Sequence, residues 1–229
     1  MAQGKTMKII MLVVIVCVLL AVLLVWKKPH WLPGGVAPTQ KFPQAVSIDI
    51  SDQPTMGDKD APIQVVSFED FKCINCRFFD LQLLPWLVKE YVKTGQASYT
   101  AISVSFLPNS MQAAVASRCI YKQDPQQFFV FADLLFHNQG DEMSNWANTA
   151  KLLQWSSQIK GISHDQFSTC LMNPQMVTEI IDNTQQGVDV MGGSLSTPAV
   201  YINGILVRPL SQQHIKETIQ YVRKQKEGV

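Results

Sequence analysis

The stretch Ile63-Gln-Val-Val-Ser-Phe-Glu-Asp-Phe-Lys-Cys73-Ile-Asn-Cys76-Arg-Phe-Phe79 decides how this chain begins to fold. Its first part, 63–68, is short, apolar and rich in β-branched residues, which is typical of a buried strand. The part that starts at Cys73 favours a long helix that extends to Lys93, with Pro85 expected to kink it. The C-x-x-C motif is therefore predicted at the point where a strand gives way to a helix.

This position gives the two cysteines of the motif different chemistry. The first N–H groups of a helix lack partners within the helix, and the helix dipole is positive at that end. Both effects stabilise a thiolate and lower the pKa of Cys73, so Cys73 is the expected nucleophile. Cys76 follows one turn later, where it can resolve a mixed disulfide formed on Cys73. Glu69, Asp70 and Glu90 are candidates for a buried carboxylate that takes the proton of Cys76, with Glu69 placed first.

A C-x-x-C motif can also form half of a zinc site. A structural zinc site normally takes a second pair of ligands at similar spacing. The other cysteines and the four histidines of this chain are scattered singly, so we expect no metal. The absence of a methionine or histidine cluster disfavours a copper chaperone for the same reason.

Downstream of the motif, apolar runs alternate with Gly and Pro breaks. We predict a strand at 97–106, helices at 110–121, 126–137, 148–159, 164–171 and 175–190, strands at 198–202 and 205–207, and a helix at 211–226. Asn203-Gly204 between the last two strands is a strong hairpin signal. The order predicts an α/β domain with a mixed sheet and a helical insertion at about 108–190.

Thr197-Pro198 lies directly before one of these strands. A proline that opens a strand is most often part of a simple turn with a trans bond. A cis bond before proline costs little, however, and beside a C-x-x-C motif it would present the backbone of Thr197 to an extended substrate segment. Taken together with the motif, the cis form is the better hypothesis.

The segments 68–79, Leu135-Phe136 and 197–204 together resemble the DsbA-like thioredoxin family, over about residues 60 to 225. The resemblance implies a thioredoxin-like fold with a helical insertion. It implies that Cys73 is the nucleophile and Cys76 its partner, and that a cis Pro198 with Thr197 binds substrate beside them. It also implies disulfide exchange with exported proteins, without a cofactor, and recycling by a membrane redox partner of DsbB or DsbD type.

Two further points follow from the resemblance. Similar members carry cysteines where Cys119 and Cys170 lie, so we predict a structural disulfide between them; two buried free thiols are the alternative. The dipeptide Ile74-Asn75 departs from the family, which often has proline and then histidine, tyrosine, phenylalanine or serine. Without a histidine, one donor to the Cys73 thiolate is missing, and a strongly oxidising potential is not assumed.

The N-terminus carries a different signal. Residues 9–26 are 18 consecutive apolar positions, about 27 Å long as a helix, which matches the apolar thickness of a bilayer. We predict a transmembrane anchor at 9–28 rather than a cleaved signal peptide, because the run is long and ends in Val25-Trp26-Lys27-Lys28. Lysines flank both ends, so charge alone leaves the orientation open. The predicted organisation is a short cytoplasmic segment at 1–8, the anchor, a proline-rich tether at 29–58 and a thioredoxin-like domain at 59–229.

The bulk composition excludes one class of partner. The 19 basic and 18 acidic residues nearly cancel, so a nucleic-acid partner is not expected. A disulfide between Cys119 and Cys170 favours an oxidising compartment, which places the domain outside the cytoplasm, on the periplasmic side of the inner membrane. We expect a thiol:disulfide oxidoreductase that favours oxidation; a reductase of the same fold and a non-catalytic binding or assembly module are the alternatives.

Overall fold

The computed structural model describes residues 42–228. A five-stranded sheet forms the centre of this part of the chain. Its strands are β1 (Thr55–Met56), β2 (Ile63–Glu69), β3 (Ala97–Ser103), β4 (Ala199–Ile202) and β5 (Ile205–Leu206), in the order β1-β3-β2-β4-β5. Strands β2 and β3 are parallel, whereas every other neighbouring pair is antiparallel. A parallel pair needs a crossover connection, which the first helix supplies.

Seven helices accompany the sheet in the described residues. Helix α1 runs through four contiguous segments, Ile74–Phe78, Phe79–Leu83, Leu84–Leu87 and Val88–Val92, of which the second and fourth have π geometry. The others are α2 (Met111–Gln123), α3 (Gln127–His137), α4 (Thr149–Ser156), α5 (His164–Leu171), α6 (Pro174–Val190) and α7 (Gln212–Glu227). Helices α2 to α6 lie between β3 and β4 in sequence and form the predicted helical insertion.

The π segment Phe79–Leu83 directly precedes the segment Leu84–Leu87, which contains Pro85. Proline lacks the N–H that would bind the carbonyl of Leu81, and its ring clashes with that carbonyl. A wider turn before the proline relieves this clash without ending the helix. Pro85 therefore changes the type of helix, and α1 continues for two further segments.

The core lies on both faces of the sheet. Val65 of β2 belongs to the larger cluster, with α1 and the helical insertion, while Val66 and Phe68 belong to a smaller cluster on the opposite face. Burial on both faces explains why the apolar residues of β2 do not alternate strictly with polar ones. The sequence expectation of a buried central strand is correct here.

The described part of the predicted tether packs on the domain. Residues 42–58 form one compact unit with the rest of the described chain, and the ring of Phe42 stacks on Tyr221 with centroids 4.2 Å apart. Apolar and polar residues alternate over 46–50, which favours a strand, but none forms there. Val46 instead donates one backbone hydrogen bond to Gly204 O at 2.9 Å, and Ile48 and Ile50 pack on the smaller cluster. Pairing with the sheet begins only at β1, which the sequence had not indicated.

None of the helices within residues 42–228 combines the length and apolar character that crossing a bilayer requires. The anchor predicted at 9–28, and the segments on either side of it up to residue 41, lie outside the described residues.

Candidate active site

The sheet register brings the C-x-x-C motif and the cis-proline loop together. Strand β2 ends at Glu69, four residues before Cys73, and β4 runs antiparallel to it with Phe68 opposite Ala199. The residues after β2 and the residues before β4 therefore meet at one edge of the sheet. The Thr197–Pro198 bond is cis, and Cys73 Sγ lies 3.5 Å from Thr197 O, to which the thiol donates.

Cys73 is the N-cap residue of α1, with extended backbone angles (φ −72°, ψ 122°). Both motif cysteines are reduced; Cys73 is 6% exposed, whereas Cys76 is fully buried. A thiol that attacks a protein substrate must reach solvent, and only Cys73 of this pair does so. Cys73 is therefore the sulfur of this pair that another thiol can reach.

Several donors hold the pKa of Cys73 at about 6, well below the ordinary 9.0. The largest contribution is a hydrogen bond from the Cys76 thiol; Thr197 and the backbone N–H groups of Cys76 and Asn75 add to it, while burial opposes it. The two N–H groups are those that a helix N-terminus leaves without partners. At pH 7 the thiolate is therefore the favoured form of Cys73.

Cys76 has the opposite tendency. Its burial raises the pKa of the thiol well above 9.0, and the hydrogen bond to Cys73 and the negative charges of Glu69 and Cys73 raise it further. Cys76 is thus stable as a neutral thiol, and it needs a proton whenever its bond to Cys73 breaks.

Thr197 has a hydroxyl oxygen that is buried without a hydrogen-bond partner among the described residues. A buried polar atom of this kind is costly unless a partner arrives. The Thr197 side chain lowers the pKa of Cys73, as expected if its hydroxyl turns to donate to the thiolate. The backbone of Thr197 thus accepts from the thiol, and its side chain favours the thiolate.

Glu69 is buried, its charge raises the pKa of Cys76, and its carboxylate lies in a closed set of hydrogen bonds. Ser67 Oγ and Tyr99 OH lie 2.5 and 2.6 Å from Glu69 Oε1, and they lie 2.7 Å from each other. Burial raises the pKa of Glu69 to about 7, with the charge of Cys73 acting in the same direction. A carboxyl that titrates near neutral pH can both give and take a proton under physiological conditions.

A second acid, Asp80, lies four residues after Cys76 in α1. Its pKa is raised to about 8 by burial and by the negative charges of Glu69 and Asp133. Glu69, Asp80 and Tyr99 share the lining of a small cavity of about 10 Å³. That volume is close to the smallest that holds one water molecule.

The other two carboxylates proposed from sequence do not serve as proton acceptors for Cys76. Asp70 is buried, but it accepts hydrogen bonds from the backbone N–H groups of Lys72, Phe106 and Leu107 at 2.8 to 3.1 Å. It therefore fastens the loop after β3 to the active-site turn. Glu90 is exposed in the last segment of α1, far from the motif.

A loop of the helical insertion, residues 138–148 between α3 and α4, touches the active-site turn from the other side. Gln139 Nε2 donates to Phe71 O and Cys73 O at 2.8 and 3.0 Å. Glu142 Oε1 accepts from the backbone N–H of Ile74 at 2.7 Å. We call residues 138–148 the insertion loop.

Lys72, fully buried, connects the same regions. Its ammonium donates to Ser144 O in the insertion loop at 2.7 Å and also to Pro108 O. Both acceptors are carbonyl oxygens, so the charge of Lys72 is held by the two loops.

The second cysteine pair lies apart from the motif. A disulfide joins Cys119 of α2 to Cys170 of α5, and the two residues are 51 positions apart in the chain. Cys119 is fully buried, and Cys170 is half-buried.

Sequence reasoning missed Ser67, Tyr99 and Asp80. Ser67 and Glu69 are two residues apart on a strand, so they share a face, and Asp80 is one helical turn beyond Cys76. Polar residues inside a buried apolar strand were therefore a usable signal. Gln139 and Glu142 carried none, because they meet the motif only through the packing of the insertion loop.

Comparison with known proteins agrees with this geometry. A family model described as Thioredoxin matches residues 50–221. A relative from Bacillus cereus, whose name is "Probable disulfide bond formation protein D", is 32% identical over 163 residues, which cover 69% of this chain and 74% of the relative.

Two solved structures resemble the chain in both fold and sequence. The crystal structure of oxidised BdbD from Bacillus subtilis is 28% identical with a TM-score of 0.71, and the match covers 80% of this chain and 100% of that one. The crystal structure of Chlamydia trachomatis DsbA is 27% identical with a TM-score of 0.71, over 79% of this chain and 97% of that one.

Proposed function

The chain belongs to the thioredoxin family, in which it is a DsbA-like thiol:disulfide oxidoreductase, and on this premise we propose that Cys73 and Cys76 are its redox pair. We further propose that the pair introduces disulfides into exported proteins outside the cytoplasm. The observation that carries the proposal is the contrast between Cys73, which is 6% exposed and has a pKa of about 6, and the fully buried Cys76, with a pKa well above 9.0.

The exchange starts from the Cys73–Cys76 disulfide. A substrate thiolate attacks Cys73 Sγ, a bond forms between the two sulfurs, and Cys76 leaves with the electron pair of the broken bond. Because Cys76 is buried and strongly favours its neutral form, it takes a proton, and the nearby carboxyl of Glu69 can give it.

The second step completes the transfer. A second substrate thiolate attacks the substrate sulfur of the mixed disulfide and releases Cys73 as a thiolate. The low pKa of Cys73 makes it a good leaving group here. The substrate gains one disulfide, and the enzyme keeps two electrons as the Cys73 thiolate and the Cys76 thiol.

The acidity of Cys73 also supports the direction of transfer. Stabilising the thiolate stabilises the reduced enzyme relative to its disulfide, which makes the disulfide a stronger oxidant. The Cys76 thiol, Thr197 and the N–H groups of α1 supply this stabilisation although Ile74-Asn75 lacks a histidine. Reoxidation then requires an acceptor of two electrons, and we propose a membrane redox partner of DsbB type.

The location is part of the same proposal. We propose that residues 9–28 anchor the chain in the inner membrane as a single span, with the catalytic domain on the periplasmic side. The apolar run in the sequence and the Cys119–Cys170 disulfide support this arrangement. Protease added to spheroplasts should degrade the domain, and protection of the domain until lysis would place it in the cytoplasm.

Trapping of mixed disulfides tests the redox pair. In cells that express Cys76→Ala, Cys73 should stay bonded to exported proteins, because the residue that resolves the bond is gone. Cys73→Ser with Cys76 intact is the matched control, and it should trap nothing and lose oxidation of a reduced substrate. Full oxidase activity in Cys73→Ser would remove the catalytic role of the motif.

The reduction potential of the pair tests the direction. A value near about −120 mV is expected for an oxidase, whereas a value near about −270 mV would overturn oxidation in favour of reduction through a DsbD-type partner.

A further inference from the structure

Three residues of the insertion loop form hydrogen bonds with the active-site turn. Gln139 binds the carbonyls of Phe71 and Cys73, and Ser144 O accepts from Lys72. These contacts join residues 66 to 72 positions apart in the chain. They place the intervening part of the loop, which includes Glu142, against the start of α1.

Glu142 contributes a fourth hydrogen bond, and it is the one of the four in which the acceptor is a carboxylate. Its carboxylate accepts the N–H of Ile74, the first residue of α1, at 2.7 Å. This N–H belongs to the peptide bond that follows Cys73. Glu142 therefore places a negative charge at the same helix end that stabilises the Cys73 thiolate, and it occupies one of the donors there.

The donors that lower the Cys73 pKa fit this arrangement. They include the N–H groups of Asn75 and Cys76 but not that of Ile74, which is bonded to Glu142. The N–H groups at the start of α1 are thus shared between two acceptors, the sulfur of Cys73 and the carboxylate of Glu142.

Three other charged groups of this region have fixed partners. Glu69 on β2 is bonded to Ser67 and Tyr99, and the Lys72 ammonium is bonded to carbonyl oxygens. In the cis-proline region, Arg208 donates to Ser196 Oγ at 2.9 Å. Glu142 is the carboxylate bonded directly to the first turn of α1.

We propose that Glu142 is a positioning residue that limits the oxidising strength of the Cys73–Cys76 pair through its charge at the start of α1. This rests on the proposed function. A negative charge near the sulfur disfavours the thiolate, and a weaker thiolate stabilises the reduced enzyme less. The helical insertion thereby tunes a redox centre built on the thioredoxin core.

Glu142→Gln separates the charge from the contact, because the amide oxygen still accepts the N–H of Ile74. In the reduced full-length protein, we expect the pKa of Cys73, followed by the ultraviolet absorbance of its thiolate, to fall by about half a unit. The equilibrium constant with glutathione should move about threefold toward the reduced enzyme, which corresponds to about 14 mV.

Two further variants complete the test. Glu142→Ala removes both charge and contact and should shift the Cys73 pKa in the same direction. Glu90→Gln removes one negative charge from the far end of the same helix and should leave the pKa and the potential unchanged. Thermal unfolding of each variant separates a change in acidity from a loss of folding.

Each outcome decides the matter. An unchanged Cys73 pKa in Glu142→Gln, or a shift in Glu142→Ala alone, would overturn the role of the charge while leaving the redox pair in place. An equal shift in Glu90→Gln would also overturn it, because the effect would then be independent of position. A wild-type Cys73 that titrates near pH ~8.5 would instead overturn the proposed function, and this inference with it.

Discussion

Both cysteine pairs of this domain lie in helices, but the residues that surround the two pairs differ. Cys73 and Cys76 lie in a single turn of α1, whereas Cys119 and Cys170 connect two helices across 51 positions. The first pair is at the beginning of a helix, beside a loop and two acids. The second pair lies within helices of the insertion, with Cys119 in apolar surroundings.

The difference shows which physical features suit a disulfide to exchange. At the motif, N–H groups, Thr197 and Cys76 stabilise one thiolate, and Glu69 lies near the partner. At the second pair, the described features are burial and a long closed loop, both of which favour a bond that persists. The pairing of two cysteines thus does not by itself determine their role. The hydrogen-bond donors and acids around a pair decide whether its disulfide exchanges or persists.

Removal of the second disulfide is the strongest way to sharpen this contrast. Cys119→Ala with Cys170→Ala should lower the free energy of unfolding by roughly 4 kcal/mol, because the unfolded chain regains the freedom of a loop of about 52 residues. Activity under conditions where the variant stays folded should be retained. The measurements are denaturant unfolding and oxidation of a reduced substrate.

The matched control is Cys73→Ser, which should lose activity and change stability little. A double variant that unfolds at the wild-type denaturant concentration would contradict a structural role for Cys119 and Cys170. A folded double variant without activity would show that the two pairs act together.

How well the sequence predicted each of these two environments depends on how far apart its residues lie along the chain. The strand, the motif and the helix start are local, so β-branched residues before Cys73 were sufficient to predict them. The hypothesis for Thr197–Pro198 rested on the motif together with family resemblance, and the Cys119–Cys170 pairing rested on the resemblance alone, since no local pattern determines which distant segments meet. The insertion loop gave no signal at all, because Glu142 reaches Ile74 only after α3 and α4 have packed.

The start of the domain shows the same limit. The prolines of the predicted tether suggested an extended chain, yet residues 42–58 pack on the domain. Asp52 forms ion pairs with Arg118 and Lys122, and Ile48 and Ile50 cover the smaller apolar cluster. An extended segment can contribute side chains to a core without pairing as a strand, and alternation of apolar residues does not distinguish the two cases.

The substitution Glu69→Gln removes the acid on the buried side of the motif, and with it one of the features that distinguish this pair from Cys119–Cys170. Because Gln cannot give a proton to the departing Cys76, we expect exchange at pH 7 to slow by about a hundredfold. Stopped-flow oxidation of a model dithiol measures the rate, and Glu90→Gln, an exposed acid on α1, is the control. An unchanged rate would mean that water supplies the proton and Glu69 has no part in the transfer.

Stability of the same variant depends on pH with a definite sign. The folded-state pKa of Glu69, about 7, is above its ordinary value of 4.5, so ionisation costs more in the folded protein than in the unfolded chain. The contribution of wild-type Glu69 to stability is fully present below pH 4.5 and is lost as the pH rises through about 7. The reduced Gln variant should therefore gain stability relative to wild type across that range and keep the gain above it.

Thr197→Val tests the smallest part of the contrast, the hydroxyl that lies buried without a partner beside Cys73. Valine keeps the shape but cannot donate to the thiolate, so the pKa of Cys73 should rise from about 6 by about half a unit, or about 0.7 kcal/mol. Thr197→Ser keeps the hydroxyl and should titrate like the wild type. Because a less stable thiolate favours the disulfide, the Val variant should also be a weaker oxidant by about threefold in its equilibrium with glutathione. If both variants raise the pKa equally, the methyl packing of Thr197 matters and its hydroxyl does not; the thiolate would then depend on Cys76 and the N–H groups of α1 alone.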